Sequence, residues 1–369
     1  MTVAILYRDE LKEYDFGSGH PFHGNRYGSF MKLLRKRLPP DDCYQVLEAE
    51  RVAEKELLTI CDEDYIQFCR EYYHAVHAGW IGYFENYSRY QSTDNKPVGT
   101  PGNVEEAARL IVGQAKMACD LVYTGKYRKA VSVGGGMHHA KRRFGEGFCI
   151  YNDVAFAAQY LLESCKLDRV MVLDTDAHAG NGTAEYLRCN PNVLFVDIHQ
   201  DPQTIYPGTG FVNDIGADGG KGHTVNIPLP VLAGNASYLL AFNEIILPLA
   251  KEFKPQIIIR NGGSDPHCAD GLTYLGMTIA GFRIVGDKVR EMAEVCDGRQ
   301  IDLIASGYNP TILPYAWLSL ISGIADFPIT VEEPEQIPEQ FQQDLALEDT
   351  RRMLEEVKKH LRDYWKCFR

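Results

Sequence analysis

Short, nearly continuous apolar runs recur along this chain and predict buried β-strands. Strands that are covered on both faces of a sheet carry such runs rather than strict alternation. The eight strand candidates are residues 4–7, 44–49, 130–134, 170–174, 193–198, 223–228, 257–261 and 303–306. Amphipathic stretches that predict helices lie between them, including 104–123, 154–164, 236–253 and 278–296. This βαβ alternation predicts an α/β fold, with one parallel sheet covered by helices on both faces.

Two segments between these elements show neither pattern, and we predict long loops at 79–102 and 199–222. Loops of such length inside a compact domain are more often functional than ornamental. After residue 331, a charged amphipathic stretch predicts a peripheral helix at 345–368 without chemistry of its own. We therefore expect a single domain over 1–369, with a core at about 3–325 and a helical tail at 331–369.

The composition is that of a soluble globular protein, because 45% of the 369 residues are apolar and 24% are charged. No apolar run reaches the roughly 18 residues of a membrane-spanning helix, so we expect no membrane association. The net charge of −12 argues against nucleic acid as a partner, since phosphate binding needs a basic face. Ten scattered cysteines without a CxxC pair predict reduced thiols and a cytoplasmic location.

Four of the predicted strands end in side chains that can carry chemistry. In an open α/β sheet, ligands collect at the carboxyl ends of the strands. These side chains are His138 and His139 after 130–134, Asp174, Asp176 and His178 from 174 onward, Asp265 after 257–261, and Tyr308 after 303–306. We therefore expect them to meet at one edge of the sheet.

The spacing of Asp176 and His178 predicts a metal site. Both side chains can face the same way in an extended segment, and Asp265 can supply a third ligand. Three protein ligands with one open position form the layout of a catalytic zinc site. The oxygen-rich set also suits iron(II). Without the other strand ends, the two aspartates of this run would equally fit helix caps or loop anchors.

The adjacent histidines and Tyr308 predict an acid–base site beside that metal. An imidazole with a near-neutral pKa can accept a proton from water. Each ring needs a partner that fixes its tautomer, and Asp174 and Asn181 are the candidates. The Tyr308 phenol can donate a hydrogen bond to an oxyanion.

Six sequence blocks together resemble the histone deacetylase superfamily, which includes the acetoin-utilisation deacetylases and acetylpolyamine amidohydrolases. The blocks are GGGMHHAK at 134–141, GFCIYND at 147–153, LDTDAHAGNGT at 173–183, YPGTG at 206–210, GGSD at 262–265 and SGYNP at 306–310. Their order and spacing match the family over roughly residues 3–325. The resemblance implies the arginase/deacetylase fold, a single domain with a central parallel eight-stranded sheet and helices on both faces.

The resemblance also implies roles for individual residues. Zinc would be held by Asp176, His178 and Asp265. His139 would be the general base, His138 paired with Asp174 an electrostatic partner, and Tyr308 the group that polarises the scissile carbonyl. The remaining implied residues are Gly147, Phe148, Tyr206 and Leu272 in the acyl tunnel, Asp94 at its rim, and Asp174, Asp197 and Ile198 around a structural potassium ion, with the backbone of Asp176 and His178.

Three positions differ from the sequence that is usual in the family. Asn181 stands where one branch has an aspartate beside the general base, and a neutral partner should raise the pKa of His139 less than a carboxylate would. Ser306 replaces a more usual glycine before Gly307 and the tyrosine. We interpret His267, two residues after Asp265, as a surface residue rather than a pocket residue.

The expected function is a zinc-dependent amidohydrolase that deacylates lysine side chains in proteins. The runner-up substrate is a small acetylated polyamine, although GSGHPFHGNR at 17–26 resembles more closely the region where substrate enters the lysine deacetylases. A non-catalytic acyl-lysine-binding scaffold would be expected to lack a ligand, the base or the tyrosine, and all are present. An arginase-like ureohydrolase shares the fold but needs a two-metal cluster, against which the histidine pair argues.

Overall fold

The computed structural model of the chain describes residues 2–38, 43–80, 82 and 84–369, so positions 81 and 83 of the predicted loop 79–102 lie outside it. The strands are β1 Val3–Leu6, β2 Tyr44–Leu47, β3 Lys129–Val133, β4 Val170–Asp174, β5 Val193–Gln200, β6 Thr224–Leu229, β7 Ile257–Asn261 and β8 Gln300–Ile304. They form one sheet in the order β2-β1-β3-β8-β7-β4-β5-β6, and every pairing is parallel. The predicted α/β class and parallel sheet are confirmed.

Helices connect the strands and cover both faces of the sheet. Those of the described residues are α1 Asn25–Arg37, α2 Glu54–Leu57, α3 Glu63–His77, α4 Tyr87–Tyr90, α5 Val104–Tyr123, α6 Asp153–Glu163, α7 Asn181–Leu187, α8 Asn235–Ala241, α9 Leu247–Phe253, α10 Ile279–Ala293, α11 Leu313–Ala325 and α12 Leu347–Leu361. The predicted helix at 104–123 is α5, and the one predicted at 236–253 is α8 and α9 joined by the π-helical turn Phe242–Ile246. Among the described residues, no helix has both the length and the apolar character to cross a bilayer.

Alternate residues of the strands pack into two separate hydrophobic cores. On β4, Met171 and Leu173 belong to one core, which also takes side chains from α1, α10 and α11. Val170 and Val172 belong to the other core, which is completed by α5 and α6. Burial of both faces explains why this strand reads as a continuous apolar run.

β8 begins at Gln300, three residues before its predicted start. The prediction missed this part of the strand because it contains two buried polar residues, Gln300 and Asp302. Arg260 on β7 pairs with Asp302 on β8, with 2.9 Å between Nε and Oδ1, and both side chains are fully buried. Gln300 donates to the second oxygen of the same carboxylate at 2.7 Å. Buried polar groups that are paired in this way are compatible with a central strand, but no apolar pattern marks them in the sequence.

The C-terminal tail packs on the side of the domain that carries α8, where α12 contacts β6 and α8. Two tail carboxylates reach the first turns of other helices. Glu333 accepts a hydrogen bond from the Ile279 amide at 2.5 Å, and Asp344 accepts one from the Ser237 amide at 2.6 Å. Negative charge at a helix N-terminus is favourable, so the tail joins the domain through specific contacts as well as through its apolar face.

Candidate active site

The four strands that end in predicted chemistry are neighbours in the sheet, in the order β3, β8, β7, β4. The loops after them carry His138 and His139, then Tyr308, then Asp265, and finally Asp176 with His178. Gly262 lets the last two loops approach closely, because a Cβ there would lie 2.6 Å from Thr175 Oγ1 and its φ is +130°. The topology therefore brings together residues that are far apart in the sequence.

Within the described residues, Asp176, His178 and Asp265 form the only group of three or more His, Cys, Asp or Glu side chains placed to share one metal ion. Their ligand atoms all lie within 4.8 Å of one another, and all three side chains are buried. His178 Nδ1 is 3.1 Å from Asp176 Oδ1 and 3.0 Å from Asp265 Oδ2. Ser306 donates a 2.8 Å hydrogen bond to Asp265 Oδ1, which orients that carboxylate.

The electrostatics of this group fit a divalent cation. Burial disfavours a charged His178, but hydrogen bonds and charges from the two carboxylates outweigh it and raise its pKa to about 10. Burial, followed by the charge of Asp176, raises the pKa of Asp265 to about 8. Two buried carboxylates this close together need positive charge between them. A bound cation meets that need with the three ligands of a zinc site.

His138 lies against carboxylates. Its Nδ1 is 2.8 Å from Asp174 Oδ2, and Asn261 donates to the same carboxylate oxygen at 2.9 Å. Burial disfavours the charged form of His138, but the charges of Asp174 and Asp176 outweigh this effect and raise its pKa to about 9. These carboxylates therefore favour the charged form of the ring.

His139, whose ring centroid is 4.0 Å from that of His138, has a neutral partner. Its Nδ1 lies 2.8 Å from Asn181 Oδ1. Burial and the positive charges of His138 and His178 lower its pKa well below the usual value for histidine. His139 is therefore neutral at pH 7, which is the form that a base needs.

Tyr308 is partly buried, and desolvation raises the pKa of its phenol well above the usual value, so the hydroxyl stays a donor. Its backbone N–H donates to Asp270 Oδ2 at 2.7 Å, and the other oxygen of Asp270 accepts from the Leu272 amide at 2.9 Å. Arg26 lies 5.5 Å from the centre of the tyrosine ring and donates to the Gly307 carbonyl at 3.0 Å. Asp270 was not predicted from the sequence, because its contact with Tyr308 depends on the path of the loop after β7.

A pocket of about 310 Å³ joins these groups. Its lining includes all five residues predicted to contact substrate together with His139, His178 and Tyr308; the predicted residues are Asp94, Gly147, Phe148, Tyr206 and Leu272. Thr204, Ile205 and Tyr274 also line it and were not predicted. The first two lie in the predicted loop 199–222, where loop length was the only available signal.

Asp94 lies at this pocket, in a short 3₁₀ turn of the 79–102 loop. Its carboxylate accepts a 2.9 Å hydrogen bond from the Gly147 amide and another from the Ser92 hydroxyl. Phe148, which follows Gly147, makes an edge-to-face contact with Tyr308, with 5.7 Å between the ring centres. Asp94 is thus tied to the wall of the pocket.

The residues predicted to hold potassium also come together. Asp174 and Asp197 are partners in the register of β4 and β5, and Ile198 follows on β5. Asp197 accepts hydrogen bonds from the Gly180 amide at 2.8 Å and from His199 at 2.7 Å. Burial raises the pKa of Asp197. Two adjacent buried carboxylates suit a hard, oxygen-liganded cation.

The interpretation of His267 as a surface residue is wrong. The side chain is only 2% exposed, stacks on Phe282 and lies 3.2 Å from Glu333 of the tail. The Ala269 amide donates to its Nδ1 at 3.1 Å, so Nε2 carries the hydrogen that faces Glu333. This contact was not predictable from the sequence, because the two partners are 66 residues apart and the tail carries no motif.

Comparison with known proteins defines the class to which this fold and site belong. A family model described as "Histone deacetylase domain" matches residues 20–324. The chain therefore belongs to the histone deacetylase family, a family of deacetylase hydrolases.

Individual relatives agree with this assignment. A protein named "Probable deacetylase" from Archaeoglobus fulgidus is 33% identical over 376 residues, covering 100% of both chains. "Acetoin utilization protein AcuC" is 34% identical in Staphylococcus aureus (strain COL), covering 89% of this chain and 82% of that protein. The AcuC of Bacillus subtilis (strain 168) is 33% identical over 85% of this chain and 80% of its own length. The solved structure "Crystal Structure of HDA15 HD domain" superposes with a TM-score of 0.80 at 23% identity, covering 100% of this chain and 97% of that one, and supports the fold alone.

Proposed function

We propose that this protein is a zinc-dependent lysine deacylase that hydrolyses acyl-lysine amides to a free amine and a carboxylate. The observation that carries the proposal is the three-ligand group lying beside His139 and Tyr308 at one 310 Å³ pocket. Family membership supports the reaction class. Zinc, the acyl-lysine substrate and the single deacetylase domain over 1–369 go beyond it and belong to the proposal.

The geometry of the site supports the following roles for the chain's own residues. Asp176, His178 and Asp265 would hold the zinc ion, which when bound would polarise the acyl carbonyl and acidify water. Neutral His139 accepts the proton from the attacking water at Nε2. It then delivers that proton to the leaving nitrogen as the C–N bond breaks. The protonated phenol of Tyr308 donates to the oxygen on which negative charge develops.

The pocket walls orient the substrate in this scheme. Phe148 and Tyr206 present apolar and aromatic surface to an extended acyl-lysine side chain, and Leu272 completes the wall. Asp94 offers a carboxylate to the polar groups near the amide. A structural potassium ion beside Asp174, Asp197 and Ile198 would fix the loop that carries the zinc ligands.

The location and the metal are also proposals. Nine of the ten cysteines are free thiols, and six of these are buried, which suits a reducing compartment such as the cytoplasm. Zinc is favoured by the three-ligand layout, and iron(II) by the oxygen content of the set. Metal-depleted protein reloaded with zinc or iron(II), each measured for metal content and turnover, decides between them.

The substrate class is tested with a panel of acetyl-, propionyl- and crotonyl-lysine peptides beside acetylspermidine. We expect kcat/KM for the best peptide to exceed that for acetylspermidine by at least about tenfold. The Tyr308→Phe variant should bind substrate with a similar KM but lose about 10²-fold in kcat, because it removes one oxyanion donor. Faster turnover of acetylspermidine would replace the lysine assignment with the polyamine one. Absence of turnover of every amide would overturn both.

A further inference from the structure

Asn181 belongs to a longer chain of polar contacts than its partnership with His139. Its Oδ1 lies 2.8 Å from His139 Nδ1, and its Nδ2 donates to Glu146 Oε1 at 2.8 Å. The same carboxylate oxygen lies 2.7 Å from Lys141 Nζ. The Glu146 carboxylate therefore does not contact His139 directly, and the Asn181 side chain lies between them.

Glu146 settles the orientation of the amide between them. A carboxylate only accepts hydrogen bonds, so the Asn181 atom that faces it must be the nitrogen. The amide oxygen is then directed at His139, and the imidazole nitrogen that it meets must carry the hydrogen. The lone pair remains on Nε2, the nitrogen that a base at this site needs.

Two backbone turns hold Lys141 and Glu146 in place. Lys141 and Phe144 close one tight turn through a 2.8 Å amide–carbonyl hydrogen bond, and Cys149 donates to the Glu146 carbonyl at 3.0 Å in the next turn. The Glu146 side chain is only 15% exposed. Because the segment that leaves His139 turns back within a few residues, its own carboxylate reaches the partner of the base.

We propose that Glu146 is a positioning residue that acts on His139 through Asn181. Its carboxylate fixes the side-chain amide so that the oxygen faces the imidazole and Nε2 stays free to accept a proton. This inference rests on the proposed deacylase function for its kinetic consequence. It accounts for an asparagine beside the base, because the carboxylate that orients its amide lies on the far side of that amide.

An exchange of the amide and the carboxylate tests the contact. Asn181→Asp alone places two carboxylates at hydrogen-bonding distance and should lower kcat at least about tenfold. Glu146→Gln alone keeps an acceptor and should cost no more than about threefold. In the double variant the new amide can donate to the new carboxylate, and kcat should return to within about threefold of wild type. Full activity in Asn181→Asp, or losses that simply multiply in the double variant, would overturn the proposal.

Truncation and a matched control separate positioning from general disturbance. Glu146→Ala should lower kcat about tenfold with little change in KM, because substrate contacts remain. Glu185→Gln removes an equal charge from an exposed carboxylate that lines the same 190 Å³ cavity as Asn181 and Lys141, and should leave both constants unchanged. Equal losses in these two variants would assign the effect to bulk charge and contradict the proposal.

A direct readout of the tautomer does not depend on substrate. In zinc-loaded, ¹⁵N-histidine-labelled protein, the His139 signals are those absent from His139→Ala. Wild type and Glu185→Gln should show a protonated Nδ1 and an unprotonated Nε2, whereas Glu146→Ala should show a mixture. Unchanged signals in Glu146→Ala would overturn the proposal. Failure of wild type to hydrolyse acyl-lysine would instead count against the proposed function, and the tautomer result would still decide the role of Glu146.

Discussion

Two adjacent histidines in the same buried site have opposite electrostatics. His138 and His139 are 3% and 4% exposed, so burial alone would push the pKa of both downward. Asp174 reverses that effect at His138 and raises its pKa to about 9. The neutral amide of Asn181 cannot do so at His139, whose pKa falls well below the usual value.

At equal burial, the hydrogen-bond partner therefore decides in which direction the pKa of each histidine shifts, and this difference is why His139 is the proposed base. Once charged, His138 also lowers the pKa of its neighbour. One ring then supplies a fixed positive charge and the other a free lone pair. The predictions that follow disturb one side of the pair at a time.

Removal of the base should have the largest effect. His139→Ala should lower kcat by about 10³-fold, within the range that a positioned acid–base group contributes. Zinc content should remain near that of wild type, because His139 is not a ligand. Steady-state kinetics and metal analysis on one preparation check both statements, and a variant that keeps full activity would remove His139 from the mechanism.

Removal of the charge beside His138 should act mainly on stability. The folded-state pKa of His138 is raised, so its pairing stabilises the fold fully below the unfolded value of about 6.5. That contribution disappears as the pH rises through about 9. Asp174→Asn should therefore cost about 3 kcal/mol at pH 6 and much less at pH 10. Urea unfolding of the metal-free proteins at both values measures this, and a cost that does not change with pH would contradict the electrostatic account of His138.

The pair also shows how far the sequence could be read. Strand ends in a parallel sheet meet whatever loops intervene, so Asp176, His178 and Asp265 were predictable as a group. Contacts that depend on the path of a loop or tail were not. Asp270 beneath Tyr308 and Glu333 beside His267 bear no pattern of their own. The buried polar residues Gln300 and Asp302 at the start of β8 also lack such a pattern. Only the pairing of Asp302 with Arg260 on β7 makes them compatible with the core.

Two glycines allow each histidine to be disturbed without being replaced. A Cβ at Gly147 would lie 2.2 Å from His139 Cδ2, whereas one at Gly180 would lie 2.7 Å from Asp174 Oδ2. Gly147→Ala should lower kcat roughly 10- to 100-fold, because small displacements of a base are costly. Gly180→Ala should instead lower the free energy of unfolding. If Gly147→Ala and Gly180→Ala lost kcat and free energy of unfolding in the same proportion, the result would argue against separate roles for His139 and His138.

The third histidine of the site extends the comparison to pH. The metal-free cluster holds protons at neutral pH, because the pKa of His178 is raised to about 10 and that of Asp265 to about 8. A cation must displace them, so zinc affinity should fall about tenfold or more for each unit by which the pH drops below 8. Competition with a chromophoric chelator between pH 6 and 8 measures the slope. A flat profile would show that these groups are unprotonated before the metal binds.

The most direct test of the account is the rate of acetyl-lysine peptide hydrolysis as metal-depleted protein is titrated with zinc. The account predicts a rate that rises in proportion to added zinc and levels off at one equivalent per chain, with no rise in Asp265→Asn. Turnover by the metal-free protein, or an Asp265→Asn variant that is activated as wild type is, would contradict it.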